Sequence, residues 1–200
     1  MFSQTLDQRL RVASVGMLSN PWAYFSKHPF HLYDEDESSV QVTAIALCEV
    51  ADIIAIATSN GRISFFNSEG EKHVTRNDIA SKESYYCQLV WKPHGVKQLI
   101  GGRADGQVFS WVKDDHDGSQ RAYIINNDHT VHKTMIRYLR WNDAKSSETE
   151  RLLSIDHGGT CCIWKTDENE LVPIAQIDSG VEINSFAILP EQFCIVSDKV

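Results

Sequence analysis

The chain repeats one short pattern three times, and this repeat constrains its fold more than any other feature. Each copy has an apolar run, a turn residue and a glycine, and an aromatic residue stands five positions after the glycine. The copies occupy residues 60–66, 105–111 and 158–164. Asn-Gly, Asp-Gly or Gly-Gly between β-type runs is typical of a hairpin with a type I′ turn, which needs positive φ at both central residues. Three such hairpins in one register indicate a repeat.

The spacing of the repeat predicts the blades of a β-propeller. Gly61, Gly106 and Gly159 are 45 and 53 residues apart, and the longer spacing fits a polar loop insertion within 142–150. Four short strands in roughly 40–50 residues are the period of a propeller blade. The strand-like runs are 42–47, 53–57, 86–91, 98–102, 122–125, 136–141, 152–155 and 171–177, with a weakly marked one near 72–74. We predict an all-β chain.

The predicted architecture is a partial propeller with three clear four-stranded blades and an incomplete fourth. An N-terminal segment, residues 1–35, has no assigned role, and the propeller covers residues 36–200. The blades span about residues 40–80, 84–128 and 134–178, and the incomplete blade spans 181–200. A closed seven-blade ring needs on the order of 300 residues at this period. We therefore expect a fragment, a short isoform or an early-terminating gene model.

Composition argues against several functional classes. The chain has 19 basic and 27 acidic residues and a net charge of −8, whereas general nucleic-acid binding needs basic surface to neutralise phosphates. No run approaches the ~20 apolar residues of a membrane span. We expect no nucleic acid and no membrane insertion.

The cysteines and the N-terminus favour a reducing compartment. The N-terminus lacks the apolar segment of a secretory signal. The five cysteines form no C-x-x-C pair, and glycosylation sequons are absent. Adjacent residues on a strand point to opposite faces, so Cys161 and Cys162 are poor disulfide partners. A cytoplasmic or ciliary location fits these features.

The pattern resembles WD-repeat propellers, whose repeats carry Gly-His before the first strand, Asp-Gly in the hairpin and Trp-Asp after it. The matching positions in this chain are His132, Asp105, Trp111 and Trp164. Lys82 stands at the histidine position of the second blade, and Gly158 stands at the aspartate position of the third. We therefore expect no single blade to contain the full hydrogen-bonded His–Asp–Trp set.

Longer stretches resemble the N-terminal propellers of intraflagellar transport subunits, most of all the family of the 140-kDa subunit of complex A. These stretches are 139–142, 152–159 and 163–167, with 90–93 and 101–106 similar to the preceding blade. The resemblance implies a non-enzymatic scaffold with protein partners in a multi-subunit complex for cilium assembly. Such subunits continue into further blades and a helical-repeat tail, which this chain does not contain. Two alternatives remain: another WD-repeat adaptor, such as a vesicle-coat subunit or ubiquitin-ligase substrate receptor, and a propeller-based metal-dependent hydrolase.

No motif supports a catalytic, cofactor-binding or metal site, so we assign no such residues and no cofactor. The stretch 113–118 resembles a calcium loop, but Lys113 stands where the first carboxylate belongs and no closing glutamate follows. The H-x-x-H pairs at 28–31 and 129–132 lack the further ligands that zinc needs. The acidic run 34–37 is either a solvated linker or a docking tail for a basic partner.

Charges in the predicted connections suggest one acidic face. In a four-stranded meander the first and third connections lie on one face and the second and fourth on the other. The first and third carry Glu69, Glu71, Asp114, Asp115, Asp117, Asp143, Glu148, Glu150, Asp167, Glu168 and Glu170. The others carry Arg62, Arg76, Lys82, Arg103 and Lys133 against Asp78, Glu83, Asp105 and Asp128. We expect the first face either to steer basic partners or simply to keep the protein soluble.

Overall fold

The fold is that of a computed structural model, which describes residues 3–4, 9–11, 30–31, 40–48, 51–67, 72–77, 84–95, 97–114, 122–142, 144–146, 148–188 and 193–197. These residues form antiparallel β-sheets. Three short strands within the N-terminal segment make one sheet: β1 (Ser3–Gln4), β2 (Arg9–Arg11) and β3 (Phe30–His31).

Three four-stranded meanders follow along the chain, each with its strands in sequence order. The first contains β4 (Val42–Cys48), β5 (Ile53–Thr58), β6 (Arg62–Phe66) and β7 (Lys72–Asn77). The second contains β8 (Tyr86–Trp91), β9 (Gln98–Arg103), β10 (Gln107–Asp114) and β11 (Ala122–Thr130). The third contains β12 (Ile136–Trp141), β13 (Leu152–Asp156), β14 (Thr160–Asp167) and β15 (Glu170–Asp178). A two-stranded sheet ends the described chain, with β16 (Ile183–Ile188) and β17 (Phe193–Ser197).

The strands of the three meanders lie where the sequence predicts them, except that β11 extends to Thr130, beyond the predicted 122–125. The strands β1 to β3 were not predicted. The loop between β12 and β13 contains the predicted insertion. The weakly marked run near 72–74 is a full strand, β7. It was hard to recognise because Lys72–Asn77 lacks the apolar alternation that marks a strand in sequence.

Apolar layers between successive sheets form the core. One layer joins the first and second sheets and includes Phe65, Trp91 and Trp111. A second layer joins the second and third sheets around Ile100 and Trp164. Smaller layers lie at the other face of the first sheet and between the third and fourth sheets. The strands β4, β8 and β12 lie beside one another, so the first strand of each sheet forms the inner edge of the arc.

The three glycine hairpins do not contain the type I′ turns expected from their sequences. Each loop has three residues between its strands, and the N–H of its glycine donates to the carbonyl three residues earlier. The glycine φ values are 84° at Gly61, 87° at Gly106 and 92° at Gly159. The preceding Asn60, Asp105 and Gly158 do not have positive φ. A three-residue hairpin loop needs the left-handed conformation only at its last position, which is why glycine recurs there.

A two-residue loop with positive φ at both positions occurs elsewhere, between β14 and β15. Its residues are Glu168, with φ of 46°, and Asn169, with φ of 73°. This loop has the backbone signs of a type I′ turn without containing a glycine. Sequence reasoning did not identify it, because the usual Asn-Gly or Asp-Gly pair is missing.

Two of the hairpin glycines also lie against the backbone that leads into the following sheet. A Cβ added to Gly106 would lie 2.6 Å from the carbonyl oxygen of His132 and 2.9 Å from that of Thr134. A Cβ added to Gly159 would meet the carbonyl oxygen of Val181. These glycines therefore allow a close approach between neighbouring blades as well as a positive φ.

Candidate functional site

A buried hydrogen-bonded network fixes the third blade. The Nε1–H group of Trp164 donates to Ser154 Oγ at 2.7 Å, and Ser154 Oγ lies 2.7 Å from Nε2 of His132. Trp164 and Ser154 are fully buried, and only 2% of His132 is exposed. His132 lies before β12, Ser154 on β13 and Trp164 on β14, so the network joins three parts of one blade.

Asp156 lies at the His132 end of this network, so the third blade brings a histidine, an aspartate and a tryptophan together, although the described contacts do not make a full hydrogen-bonded His–Asp–Trp set. Its Oδ2 lies 3.4 Å from His132 Nδ1 and accepts the N–H of Lys133 at 3.3 Å. Its Oδ1 accepts the N–H of Thr160 at 2.8 Å. The WD-repeat pattern places the aspartate at position 158. In this three-residue hairpin loop, Asp156 at the end of β13 reaches both His132 and the N–H of Thr160.

The protonation of His132 follows from its partners and its burial. A carboxylate only accepts hydrogen bonds, so the proton lies on Nδ1 beside Asp156, and Nε2 accepts the hydroxyl hydrogen of Ser154. At 3.4 Å the contact with Asp156 is an electrostatic contact rather than a well-formed hydrogen bond. Burial lowers the pKa of His132 below its ordinary 6.5, and the charge of Asp156 only partly offsets this.

Ser154, His132 and Asp156 have the order of contacts of a nucleophilic triad, but they do not form an accessible site. A nucleophilic serine must reach a substrate carbonyl. Ser154 and Asp156 are buried, and Ser154 Oγ is occupied by Trp164 and His132. This arrangement holds the blade together.

The second blade replaces the polar network with aromatic packing. Gly101, five residues before its hairpin glycine, stands where Ser154 stands in the third blade. A Cβ there would lie 2.7 Å from the Trp111 ring and 2.9 Å from Tyr86. The rings of Tyr86 and Trp111 meet edge to face at 5.1 Å between centroids. The predicted position Lys82 lies outside the described residues.

In the same blade, Asp105 has a local role in its hairpin. Its carboxylate accepts the N–H of Gln107 at 3.1 Å and pairs with the guanidinium of Arg103 at 2.7 Å. It therefore does not join a His–Trp network.

Tryptophans at equivalent positions end the inner strands β8 and β12. The Nε1–H group of Trp91 donates to the carbonyl of Ala46 in the first sheet, at 3.2 Å. Trp141 is also buried, with 6% of it exposed, but its Nε1 has no acceptor among the described residues. The second and third blades therefore differ in how a tryptophan reaches the preceding sheet.

Glu150 connects the insertion loop of the third blade to the second blade. Its Oε1 accepts the main-chain N–H of His94 at 2.9 Å and lies 2.7 Å from His94 Nδ1. Its Oε2 lies 3.7 Å from Lys92 Nζ. Only 1% of the Glu150 side chain is exposed. Sequence reasoning placed it on a solvated acidic loop, because a contact with a residue 56 positions away leaves no local signal.

Two open cavities of about 410 Å³ each lie on either side of Arg140, at the inner edge of the arc. The first cavity, between the second and third sheets, includes Val90, Pro93, His94, Arg140, Trp141 and Ala144 in its lining. The second, between the third and fourth sheets, includes Gln88, Tyr138, Arg140, Asn184, Ser185 and Phe186. Arg140 is exposed, and no ion pair involves it in the part of the chain that the structure describes.

The described residues contain no group of three or more His, Cys, Asp or Glu side chains that could hold a metal ion. His28, which belongs to the first H-x-x-H pair, lies outside the described residues. Residues 115–118 of the calcium-like stretch and the acidic run 34–37 also lie outside them. His132 is committed to Ser154, which makes the 129–132 pair a poor metal site. Within the same part of the chain, no helix has the length and apolarity needed to cross a membrane.

The described cysteines are free thiols, as the poor geometry of an adjacent pair predicted. Burial raises the pKa of Cys161 to about 11 and that of Cys162 to about 12. Burial also raises the pKa of Cys87 to about 12. These thiols therefore stay protonated near neutral pH and are poor nucleophiles.

Among the described residues, the face that was predicted to be acidic carries both acidic and basic side chains. Glu148, Asp167, Glu168 and Glu170 are exposed there, but Glu150 is buried. Basic residues in the same connections are Lys92, Lys97, Lys145 and Arg151, which the prediction did not weigh. Several charged residues of both faces lie outside the described residues, so the net charge of each face stays a prediction. They are Glu69, Glu71, Asp115, Asp117 and Asp143 on the first face, and Lys82, Asp78 and Glu83 on the opposite face.

Comparisons with known proteins identify the fold. No family model and no curated protein matches the chain. Among solved structures, the chain is similar to Sqt1 of Saccharomyces cerevisiae, with a TM-score of 0.60, 10% identity, and coverage of 73% of this chain and 37% of that chain. Sqt1 of Chaetomium thermophilum gives a TM-score of 0.61, 12% identity, and coverage of 78% and 41%.

A second structure of Chaetomium thermophilum Sqt1 gives a TM-score of 0.60 at 13% identity. The chain thus matches less than half of the length of these propellers. The similarity concerns the fold, and it agrees with the stacked four-stranded meanders. The chain therefore has the all-β fold of a partial WD-type β-propeller.

Proposed function

We propose that the chain is a non-enzymatic scaffold for protein–protein contacts and belongs to a multi-subunit complex. The observation that carries this proposal is the pair of open cavities between neighbouring blades, with the exposed Arg140 in the lining of both. Such clefts suit side chains of a partner better than a small substrate, since they are open to solvent and lined by several strands. A fold alone does not give a function, so these clefts have to support the proposal.

A hydrolytic enzyme is the alternative from another class. It needs a histidine and a nucleophile or metal at an accessible site. In the described chain His132 and Ser154 hydrogen-bond to one another inside the third blade, and the Nε1–H group of Trp164 donates to the same serine oxygen. These contacts favour the scaffold over the hydrolase.

We further propose the intraflagellar transport machinery as the assembly, with a cytoplasmic or ciliary location. The support is the resemblance of residues 139–142, 152–159 and 163–167 to the N-terminal propellers of that family. We also keep the division into a segment at 1–35 and blades at about 40–80, 84–128, 134–178 and 181–200 as a proposal.

Affinity purification of the tagged full chain from ciliated cells tests this function. We expect intraflagellar transport subunits in the purified complex. A Gly106→Ala variant serves as the control at a temperature where a thermal melt shows it unfolded and wild type folded, because it then keeps only partners that bind any unfolded chain. Recovery of coat or ubiquitin-ligase components instead would favour another WD-repeat adaptor, and a wild-type chain with the same partners as the control would contradict the scaffold function.

A further inference from the structure

We propose that the two cavities beside Arg140 form one groove, which binds an extended peptide carrying a carboxylate between two apolar side chains. This inference rests on the proposed scaffold function and specifies the chemistry of the partner. It combines a cation with which no described carboxylate pairs and apolar walls on both sides.

Arg140 provides the central recognition group. It lies on the inner strand β12 and contributes to the lining of both cavities. No carboxylate of the described residues pairs with it, although the chain has more acidic than basic residues. A guanidinium binds a carboxylate through two parallel hydrogen bonds, which gives both strength and direction.

Trp141 belongs to the lining of the first cavity, but its Nε1–H group is buried. An indole N–H group can only donate, and a buried donor without a partner costs about 1–3 kcal/mol. Trp91, its equivalent in the preceding blade, donates to a main-chain carbonyl of the neighbouring sheet, whereas Trp141 has no acceptor among the described residues. Because this buried Nε1–H group is out of reach of a peptide in the cavity, recognition of the carboxylate rests on Arg140.

The charges around the groove favour an acidic peptide over a basic one. Glu150 is the buried acidic group of the loop beside the first cavity, and it is already held by His94 and Lys92. A basic side chain would meet the positive charge of Arg140 without a described carboxylate left to pair with. The exposed guanidinium of Arg140 therefore calls for acceptor oxygens in the ligand.

The walls of the cavities are apolar, and the geometry of an extended peptide sets the spacing of the side chains that reach them. Val90, Pro93 and Ala144 line the first cavity, and Tyr138 and Phe186 line the second. In an extended peptide, residues two positions apart lie on the same side and are roughly 7 Å apart. The expected ligand therefore has an apolar residue two positions before and two positions after the acidic residue.

Fluorescence anisotropy with three dye-labelled peptide pools tests the groove. All pools share seven residues with apolar residues at positions 2 and 6, and position 4 is Asp or Glu, Asn or Gln, or Lys or Arg. We expect the full chain to bind the acidic pool roughly tenfold more tightly than either other pool. Arg140→Gln should abolish this preference.

Lys145→Gln is the matched control, because it removes one exposed positive charge from the same blade outside both cavities. Thermal melts of every variant confirm that each is folded before binding is compared. Equal binding of all pools, a preference for the basic pool, an unchanged acidic preference in Arg140→Gln, or no binding to the folded wild type would each overturn the inference. The affinity purification does not depend on the peptides. If the wild-type chain recovers specific partners but binds none of the peptide pools, the groove is refuted and the scaffold function is not.

Discussion

Single residues decide whether the third blade is held by polar contacts. Ser154 Oγ joins Trp164 to His132, and no other described side chain satisfies both. The residues around it are apolar, so a lost partner cannot be replaced by water at low cost.

Replacing Ser154 by alanine should therefore destabilise the chain by about 2–3 kcal/mol, since it leaves two buried groups without a partner. Urea denaturation measures this change. Ser146→Ala, at an exposed position of the insertion loop, should shift the midpoint by less than about 0.5 kcal/mol. Equal effects of the two substitutions would contradict the role of the network.

The buried imidazole of His132 predicts a pH dependence. Its pKa is lowered in the folded state, so the unfolded state binds more protons below its ordinary pKa of 6.5. Stability from this group is fully present above that pH and is lost as the pH falls from 6.5 towards the lowered folded-state pKa. In urea titrations between pH 7.5 and 5.5, roughly around this pKa, His132→Gln should show lower stability and a weaker decline on acidification. A variant that declines as steeply as wild type would show that other groups control the acid response.

At the scale of elements, the sequence predicted the strands because glycine, tryptophan and β-type runs recur in one register. It misassigned the turns, because Asn60-Gly61 and Asp105-Gly106 are compatible with either loop length, and only the pairing of the flanking strands decides between them. Asp156 was missed for a related reason: its partners are set by loop geometry, not by its distance from the glycine.

The hairpin of the second blade offers a direct test at this scale. Gly106→Ala adds a Cβ against two main-chain carbonyl oxygens and also forces alanine into positive φ. Gly180→Ala meets only the second problem, because nothing lies within 4 Å of the added Cβ. We expect a loss of about 1 kcal/mol for Gly180→Ala and at least twice that for Gly106→Ala, measured by chemical denaturation. Equal losses would mean that the close approach to the third blade has no energetic effect.

At the scale of the whole molecule, contacts between blades come from residues far apart in sequence. Neither Glu150 nor Arg140 could be recognised from sequence, because an acidic loop and a lone exposed arginine are ordinary surface features. Only the stacking of the second and third sheets brings Glu150 to His94 and places Arg140 between two cavities.

Glu150→Gln keeps the size of the side chain and removes its charge, which leaves the buried Lys92 ammonium without its carboxylate. We expect a loss of at least about 2 kcal/mol and faster hydrogen exchange at the contact between the second and third sheets. Glu148→Gln, on the exposed part of the same loop, should change stability by less than about 0.5 kcal/mol. Indistinguishable variants would indicate that apolar packing alone joins these blades.

The approach of Gly106 and Gly159 to the backbone of the following sheet has a consequence for how such chains diverge. At these points the backbone of one blade lies directly against the backbone that leads into the next. These contacts set the distance between the blades there, and the side chains of the apolar layers do not. The apolar layers can then change their residues, as Tyr86 and Trp111 in one blade and Ser154 and Trp164 in another show. Changes in these layers can therefore leave the spacing of the blades unaltered, and a chain with 10–13% identity to Sqt1 can still share its fold.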